Sequence, residues 1–305
     1  MKLIGAFFRL IRWPNLVFII LTQLLFYFCV YLPLYEIPQH QSIVFLVLAS
    51  VLIAAAGYII NDYFDLNIDQ VNKPDKNVFV RTISRRWAIL WHFILSTIGV
   101  GLTWVAVGNS HLYLVVANAV CVILLWLYST SFKKKLVVGN VVISLLTAWT
   151  VLIIFFAFTR PEDAIDTENY AAIKFFRVAF LYAGFAFILT LVREAVKDME
   201  DLEGDARYGC KTLPIVAGIR TTKVYTMTWV IVLMAMVVLV QLYVLLFGWW
   251  PAVLFLLVTV LIPLIRFSKR LYYASTKADF MSLSRWAKWI MLTGILSMVF
   301  FRFYF

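Results

Sequence analysis

Long apolar runs alternate with short polar stretches along almost the whole chain, and nine of the runs reach membrane-spanning length. They lie near 15–35, 42–62, 86–107, 111–131, 137–158, 172–194, 222–246, 249–266 and 285–304. Crossing the hydrocarbon core takes about 20 predominantly apolar residues. Only helices and closed barrels satisfy their backbone there, so the pattern predicts an all-α polytopic membrane protein with nine transmembrane helices. No soluble domain or low-complexity linker interrupts it, and residues 1–305 are expected to form a single domain.

Composition points the same way. The chain is 64% hydrophobic with a mean hydropathy of +0.91, against about 45–50% apolar for ordinary soluble domains. The net charge of +11 would suit nucleic acid, but its distribution argues against such a partner. All of the 27 lysines and arginines except Arg160, Lys174, Arg177 and Arg302 fall in alternate connections, beginning before the first span. The positive-inside rule then predicts a cytoplasmic N-terminus and, after nine spans, an outside C-terminus, in the cytoplasmic membrane. Arg9, Arg12 and Pro14 precede a run of full spanning length, which is not the pattern of a cleaved signal. Cys29, Cys121 and Cys210 are widely separated, as are His40, His92 and His111. Neither set has disulfide or zinc spacing.

Glu162, Asp163, Asp166 and Glu168 lie in the connection after the fifth run and are expected to be a solvated outer loop, whereas two further acidic groups end apolar runs. Asn61-Asp62-Tyr63-Phe64-Asp65-Leu66-Asn67-Ile68-Asp69 ends the second apolar run, and Asp198, Asp201 and Asp205 end the sixth. Positions i, i+3 and i+7 of a helix fall at about 0°, 300° and 340°, so each trio is expected to form one narrow stripe. Both stripes fall on the cytoplasmic side of the topology. Their recurrence in matching places suggests a duplication, about 1–136 and 137–270, with a ninth helix added. Carboxylates beside lipid are costly and mark function. A calcium loop would need a glycine-centred twelve-residue pattern, which is missing. An ion-coupled transporter is the rival from another class, but the other spans lack acidic stepping stones. Two acidic stripes facing one cavity could instead hold Mg²⁺, a hard cation that favours oxygen ligands and substrate phosphates. Such a site suits the departure of diphosphate from an allylic diphosphate.

At these motifs the chain resembles the UbiA superfamily of intramembrane prenyltransferases. The family's N-D-x-x-D-x-x-x-D pattern is matched by Asn61, Asp62, Asp65 and Asp69, and its second acidic motif by Asp198, Asp201 and Asp205. Arg12-Trp13-Pro14-Asn15 looks like its first-helix start. Tyr128-Ser129 with Lys133 and Asn140 looks like its helix 4–5 connection, and Lys211-Thr212-Leu213-Pro214 with Gly218 like its helix 6–7 exit. The stretch from Arg193 to Asp205 resembles R-E-x-x-K-D-x-E-D-x-x-G-D of the digeranylgeranylglyceryl phosphate synthase branch, which transfers a geranylgeranyl group to geranylgeranylglyceryl phosphate. Residues 72–84 depart from the family by lacking its second proline and its glycine.

The resemblance implies that the six aspartates bind Mg²⁺ and diphosphate, with Asp62, Asp65, Asp198 and Asp201 central to catalysis. It also implies substrate contacts from Arg12, Asn15, Asn61, Arg81, Tyr128 and Lys133. Arg193 and Lys197, one helical turn apart, either pair with nearby acids or reach an acceptor phosphate. Lys134 and Lys135 are expected to be topological charges, while Tyr63, Phe64 and Tyr128 are candidates to line a prenyl tunnel. The implied partners are a prenyl diphosphate, a lipidic or aromatic acceptor, and membrane lipids. Within the family the alternative is an aromatic prenyltransferase acting on a hydroxybenzoate, homogentisate or naphthoate ring. Oligomeric state has no signature in the sequence.

Overall fold

A computed structural model describes residues 2–72, 84–159 and 169–304, and these residues are mostly helical, without strands. A short helix α1 (Lys2–Leu10) leads into the first of the nine helices that, among the described residues, are long and apolar enough to cross a membrane. These are α2 (Trp13–Tyr35), α3 (His40–Asn72), α4 (Arg85–Val107), α5 (Asn109–Thr130), α6 (Val138–Phe158) and α7 (Tyr170–Glu200). After the short helices α8 (Leu202–Arg207) and α9 (Leu213–Val216) come α10 (Gly218–Leu245), α11 (Trp250–Tyr273) and α12 (Lys277–Tyr304). All nine expected spans are present among the described residues, and the largest boundary shift is at the first acidic motif. Helix α3 continues to residue 72 rather than ending near 62, so its 33 residues measure about 50 Å against a core of about 30 Å.

The second acidic stretch corrects the expectation of a single helical stripe. Helix α7 stops at Glu200, and Asp201 (φ −95°, ψ 10°) starts the separate helix α8. The Asp201 amide still donates to the Lys197 carbonyl at 2.8 Å, and its own carbonyl accepts from the Asp205 amide at 3.1 Å. The helix is therefore jointed at Asp201 instead of unravelled. The Asp201 side chain makes no capping hydrogen bond to α8, and Glu203 and Asp205 in the first turn favour the start through the helix dipole.

The chain groups into two compact units. The first comprises Met1–Lys133 and Trp149–Phe180, the second Lys134–Ala148 and Leu181–Phe305. In the first unit, Leu10, Ile11 and Leu16 pack with Ala55, Ala56 and Ile59 of α3 and Ala88 and Leu95 of α4. A Cβ on Gly99 would lie 2.8 Å from the Ile53 side chain and 3.1 Å from the Ala49 carbonyl oxygen. That close approach of α3 and α4 is the small-residue packing that lipid-embedded helices use. Polar side chains inside this unit bond across helices. Gln23 donates to the Ser50 hydroxyl (2.8 Å) and the Thr150 carbonyl (2.9 Å), Asn118 donates to Thr103 (2.8 Å), and Trp149 donates to Asn118 (2.9 Å). His92 sits 3.0 Å from the Ala56 carbonyl, a structural brace.

In the second unit, Val192, Val196 and Met199 of α7 pack against Leu264, Phe267 and Leu271 of α11 and Phe280 and Leu283 of α12. Two spans, α2 and α11, contain a wide π-type turn, at Tyr27–Tyr31 and Leu257–Leu261, each just before a proline, Pro33 or Pro263. Proline lacks an N–H and crowds the carbonyl four residues back, so the helix widens to accommodate it. For Pro263 that carbonyl belongs to Thr259, and the Thr293 hydroxyl of α12 donates to it at 2.9 Å. Thr293→Val should therefore lower stability by about 1 kcal/mol. Thermal unfolding in a fixed detergent tests this; an unchanged transition would show that the carbonyl needs no donor from α12.

Candidate functional site

The first acidic motif rides on the extended end of α3. There the i, i+4 spacing lets the Asn61 side-chain amide donate to the Asp65 carboxylate at 2.7 Å. Two cations from distant parts of the same unit meet this stripe. Arg12, between α1 and α2, lies 2.5 Å from Asp62, and the Lys133 ammonium pairs with Asp65. Arg12 occupies the left-handed backbone region (φ 51°) just before α2, and its guanidinium stands 5.2 Å from the centre of the Tyr58 ring. Burial by itself would lower the Arg12 pKa. Asp62, Tyr58 and Asp69 outweigh that and raise it, so the residue is a permanent cation.

Lys133 is half-buried while Lys134 and Lys135 are exposed. Asn15 is half-buried in the first turn of α2, where its amide donates to the Arg12 carbonyl at 2.8 Å. Tyr128 is half-buried on the last turns of α5. Tyr63 packs edge-on against Phe64, and Phe64 packs edge-on against Trp126, with 37% of Phe64 exposed. Arg81 lies outside the described residues.

The second motif is built in the other unit by different chemistry. Asn140, near the start of α6, donates to the Asp198 carboxylate at 2.8 Å. Val137, just before α6, is a β-branched residue in the left-handed region (φ 56°). Such a conformation is strained and is kept where surroundings demand it. The Lys211 amide donates to the Lys134 carbonyl at 2.8 Å, which ties the chain after α8 to the connection before α6. Arg193 and Lys197 do not take the trio aspartates as ion-pair partners among the described residues. Both reach Glu194, at 2.6 Å and 3.5 Å. Glu194 is buried, and so is Glu200.

Two participants, Asn140 as a partner of Asp198 and Glu194 as an anchor for the cations, were not named as site residues by the sequence. The signals were present: Asn140 is a lone amide opening an apolar run, and Glu194 directly follows Arg193.

The donor set is hard oxygen throughout. Carboxylates predominate, and the buried Asn61 Oδ1 accepts no hydrogen bond among the described residues. No group of three or more His, Cys, Asp or Glu among those residues is drawn together as a metal site. Mg²⁺ does not require one, since it commonly takes one or two carboxylates and completes its shell with water and phosphate oxygens. The residues thus fit such a cation, with Arg12 and Lys133 balancing Asp62 and Asp65 in this structure.

The UbiA prenyltransferase family model matches residues 16–295. A digeranylgeranylglyceryl phosphate synthase from Natronomonas pharaonis is 34% identical over 188 residues, 60% of each chain. One from Methanopyrus kandleri is 36% identical over 166 residues, 54% of each chain. The chain thus spans less than two thirds of the length of these curated relatives. Among solved structures, a digeranylgeranylglyceryl phosphate synthase superposes with a TM-score of 0.64 at 22% identity, covering 98% of this chain and 99% of that one. A UbiA homolog from Archaeoglobus fulgidus bound to DMAPP and Mg²⁺ superposes with a TM-score of 0.58 at 15% identity, covering 96% and 99%. Both likenesses show the fold.

Removing one cation isolates its carboxylate in a half-buried setting. Lys133→Met should cost about 1–3 kcal/mol of stability in EDTA. Added Mg²⁺ should raise the melting temperature of this variant more than that of the parent, because the metal can replace the missing charge. Equal Mg²⁺ shifts in both proteins would count against a cation site at Asp65.

Proposed function

We propose, for a chain that belongs to the UbiA prenyltransferase family and is an integral membrane protein, that it transfers a geranylgeranyl group from geranylgeranyl diphosphate to geranylgeranylglyceryl phosphate. The observation that carries this reading is the pair of acidic motifs at the ends of apolar helices, the first ion-paired to Arg12 and Lys133 and the second hydrogen-bonded by Asn140. The acceptor is supported by the run Arg193-Glu194-x-x-Lys197-Asp198-x-Glu200-Asp201-x-x-Gly204-Asp205 and by the names of the relatives at 34% and 36% identity.

In this reading Asp62, Asp65, Asp69, Asp198, Asp201 and Asp205 hold Mg²⁺ and, through it, the diphosphate, as the Archaeoglobus fulgidus homolog's bound Mg²⁺ suggests. When bound, Mg²⁺ supplies Lewis-acid stabilisation of the charge gathering on the leaving group. Arg12 and Lys133, already cationic beside Asp62 and Asp65, turn their donors to the phosphate oxygens as the substrate arrives. Arg81 and Asn15 are assigned to the same substrate-binding set, and Asn61 offers its free amide oxygen. Asn140 fixes the orientation of Asp198.

The allylic carbon–oxygen bond breaks with its electron pair leaving on diphosphate. The acceptor hydroxyl oxygen then bonds to that carbon and sheds its proton to solvent. Aromatic faces such as those of Tyr63 and Tyr128 are suited to shielding the allylic cation. Glu194, buried beneath Arg193 and Lys197, aims both cations at the acceptor phosphate. The whole of residues 1–305 acts as one catalytic domain, with any two-fold repeat inside it a matter of ancestry. The active-site loops and N-terminus face the cytoplasm across the cytoplasmic membrane, and the C-terminus faces outside.

Membranes containing the protein should release diphosphate from geranylgeranyl diphosphate only when Mg²⁺ and geranylgeranylglyceryl phosphate are both present. Asp62→Ala and Asp198→Ala should each reduce the rate by at least about 100-fold, the scale of removing a preorganised electrostatic contact. Undiminished turnover in both variants would refute the assignment. Turnover with 4-hydroxybenzoate instead of the lipid acceptor would move the chain to the aromatic branch.

A further inference from the structure

A cavity of about 440 Å³ lies between the end of α11 and the start of α12, and none of its lining residues belongs to either acidic motif. We propose that it is a headgroup site for an anionic membrane phospholipid, independent of the transfer reaction.

The first argument is charge. Lys269 and Arg270 line the cavity together with one acid, Asp279. The Asp279 carboxylate is committed to the start of α12, where it accepts from the Ser275 amide (3.0 Å), the Thr276 amide (2.9 Å) and the Thr276 hydroxyl (2.8 Å). Neither Lys269 nor Arg270 has an ion-pair partner among the described residues. Arg270 is pinned in place, its guanidinium 4.3 Å from the centre of the Trp286 ring. Stacking of this kind occupies the face of the guanidinium and leaves its N–H edge available.

The second argument is depth and shape. Helix α11 ends at Tyr273 and α12 begins at Lys277, so the cavity lies where two spans finish. Tyr272 and Tyr273 are 71% and 70% exposed, as expected of aromatic anchors at headgroup level. The cavity's apolar wall, Ala274 and Leu283, is continuous with the second unit's core. A cationic mouth with an apolar floor matches a phospholipid, whereas a free phosphate would have no use for the floor. Loop charges that only set topology need neither a cavity nor an aromatic shelf.

The test uses the full-length protein in detergent, with native mass spectrometry and thermal unfolding read in parallel. Phosphatidylglycerol should be retained and should raise the melting temperature, and phosphatidylcholine with the same acyl chains should do neither. K269Q/R270Q should weaken retention about 30-fold, whereas K134Q/K135Q, which removes the same charge elsewhere, should leave it unchanged. Ser282→Glu, at an exposed lining position, should abolish retention without touching the Arg270–Trp286 stack, and decides the matter if the double variant folds poorly. Equal weakening in both double variants would mean bulk charge attraction and overturn the proposal, as would equal retention of the two lipids. A melting shift of the same size with inorganic phosphate alone would mean a free-anion site and overturn it too.

Discussion

Carboxylates at the end of an apolar helix cannot stay ionised without a counter-charge close at hand, because the low dielectric magnifies both their attraction to cations and their mutual repulsion. Much of this structure follows from meeting that demand locally. Asp62 has Arg12 and Asp65 has Lys133 and the Asn61 amide, whereas Asp198 receives a hydrogen bond from the neutral Asn140 amide and no ion pair among the described residues. The compensation differs between the motifs. The first is balanced by full positive charges, whereas the second is met by a neutral amide, with the neighbouring Arg193 and Lys197 committed to Glu194. Two of the supporting positions, Arg12 and Val137, sit in left-handed backbone conformations that non-glycine residues avoid. Strain of that kind is tolerated where the surrounding contacts over-determine it.

The same scarcity of partners governs the spans. No water is available in hydrocarbon, so backbone polar groups must be satisfied within the protein and buried side-chain donors gain by finding a protein partner. Gln23, Asn118 and Trp149 do so across helices in the first unit. Proline creates the complementary problem of a carbonyl with no donor, which Thr293 solves for Thr259 in the second. The outward faces have the opposite character. Leu246, Leu239 and Trp250 are among many large apolar side chains left uncovered, which in water would be a liability and in lipid is simply the solvent-facing surface.

Length and hydropathy of the apolar runs, the charge bias of their connections and the helical spacing of the aspartates are properties of short stretches, and each was legible in the sequence. All nine spans were where the runs placed them among the described residues, and Asp62, Asp65 and Asp69 lie on one unbroken helix as their spacing required. Even the contrast of Lys133 with Lys134 and Lys135 was carried by a short motif. Spacing failed at Asp201. There, helical hydrogen bonds persist on both sides of a change in ψ, so no break in pattern announces the joint.

Partnership, by contrast, was decided by tertiary structure alone. Arg12 is 50 residues from Asp62, Lys133 is 68 from Asp65, and Asn140 is 58 from Asp198. Arg193 and Lys197 could have chosen the aspartates beside them, and burial of Glu194 on the same helix drew them to it instead. A residue's type and spacing fix what it can bond to. Which candidate it bonds to depends on which distant helix packing brings within about 3 Å, a distance no linear pattern encodes.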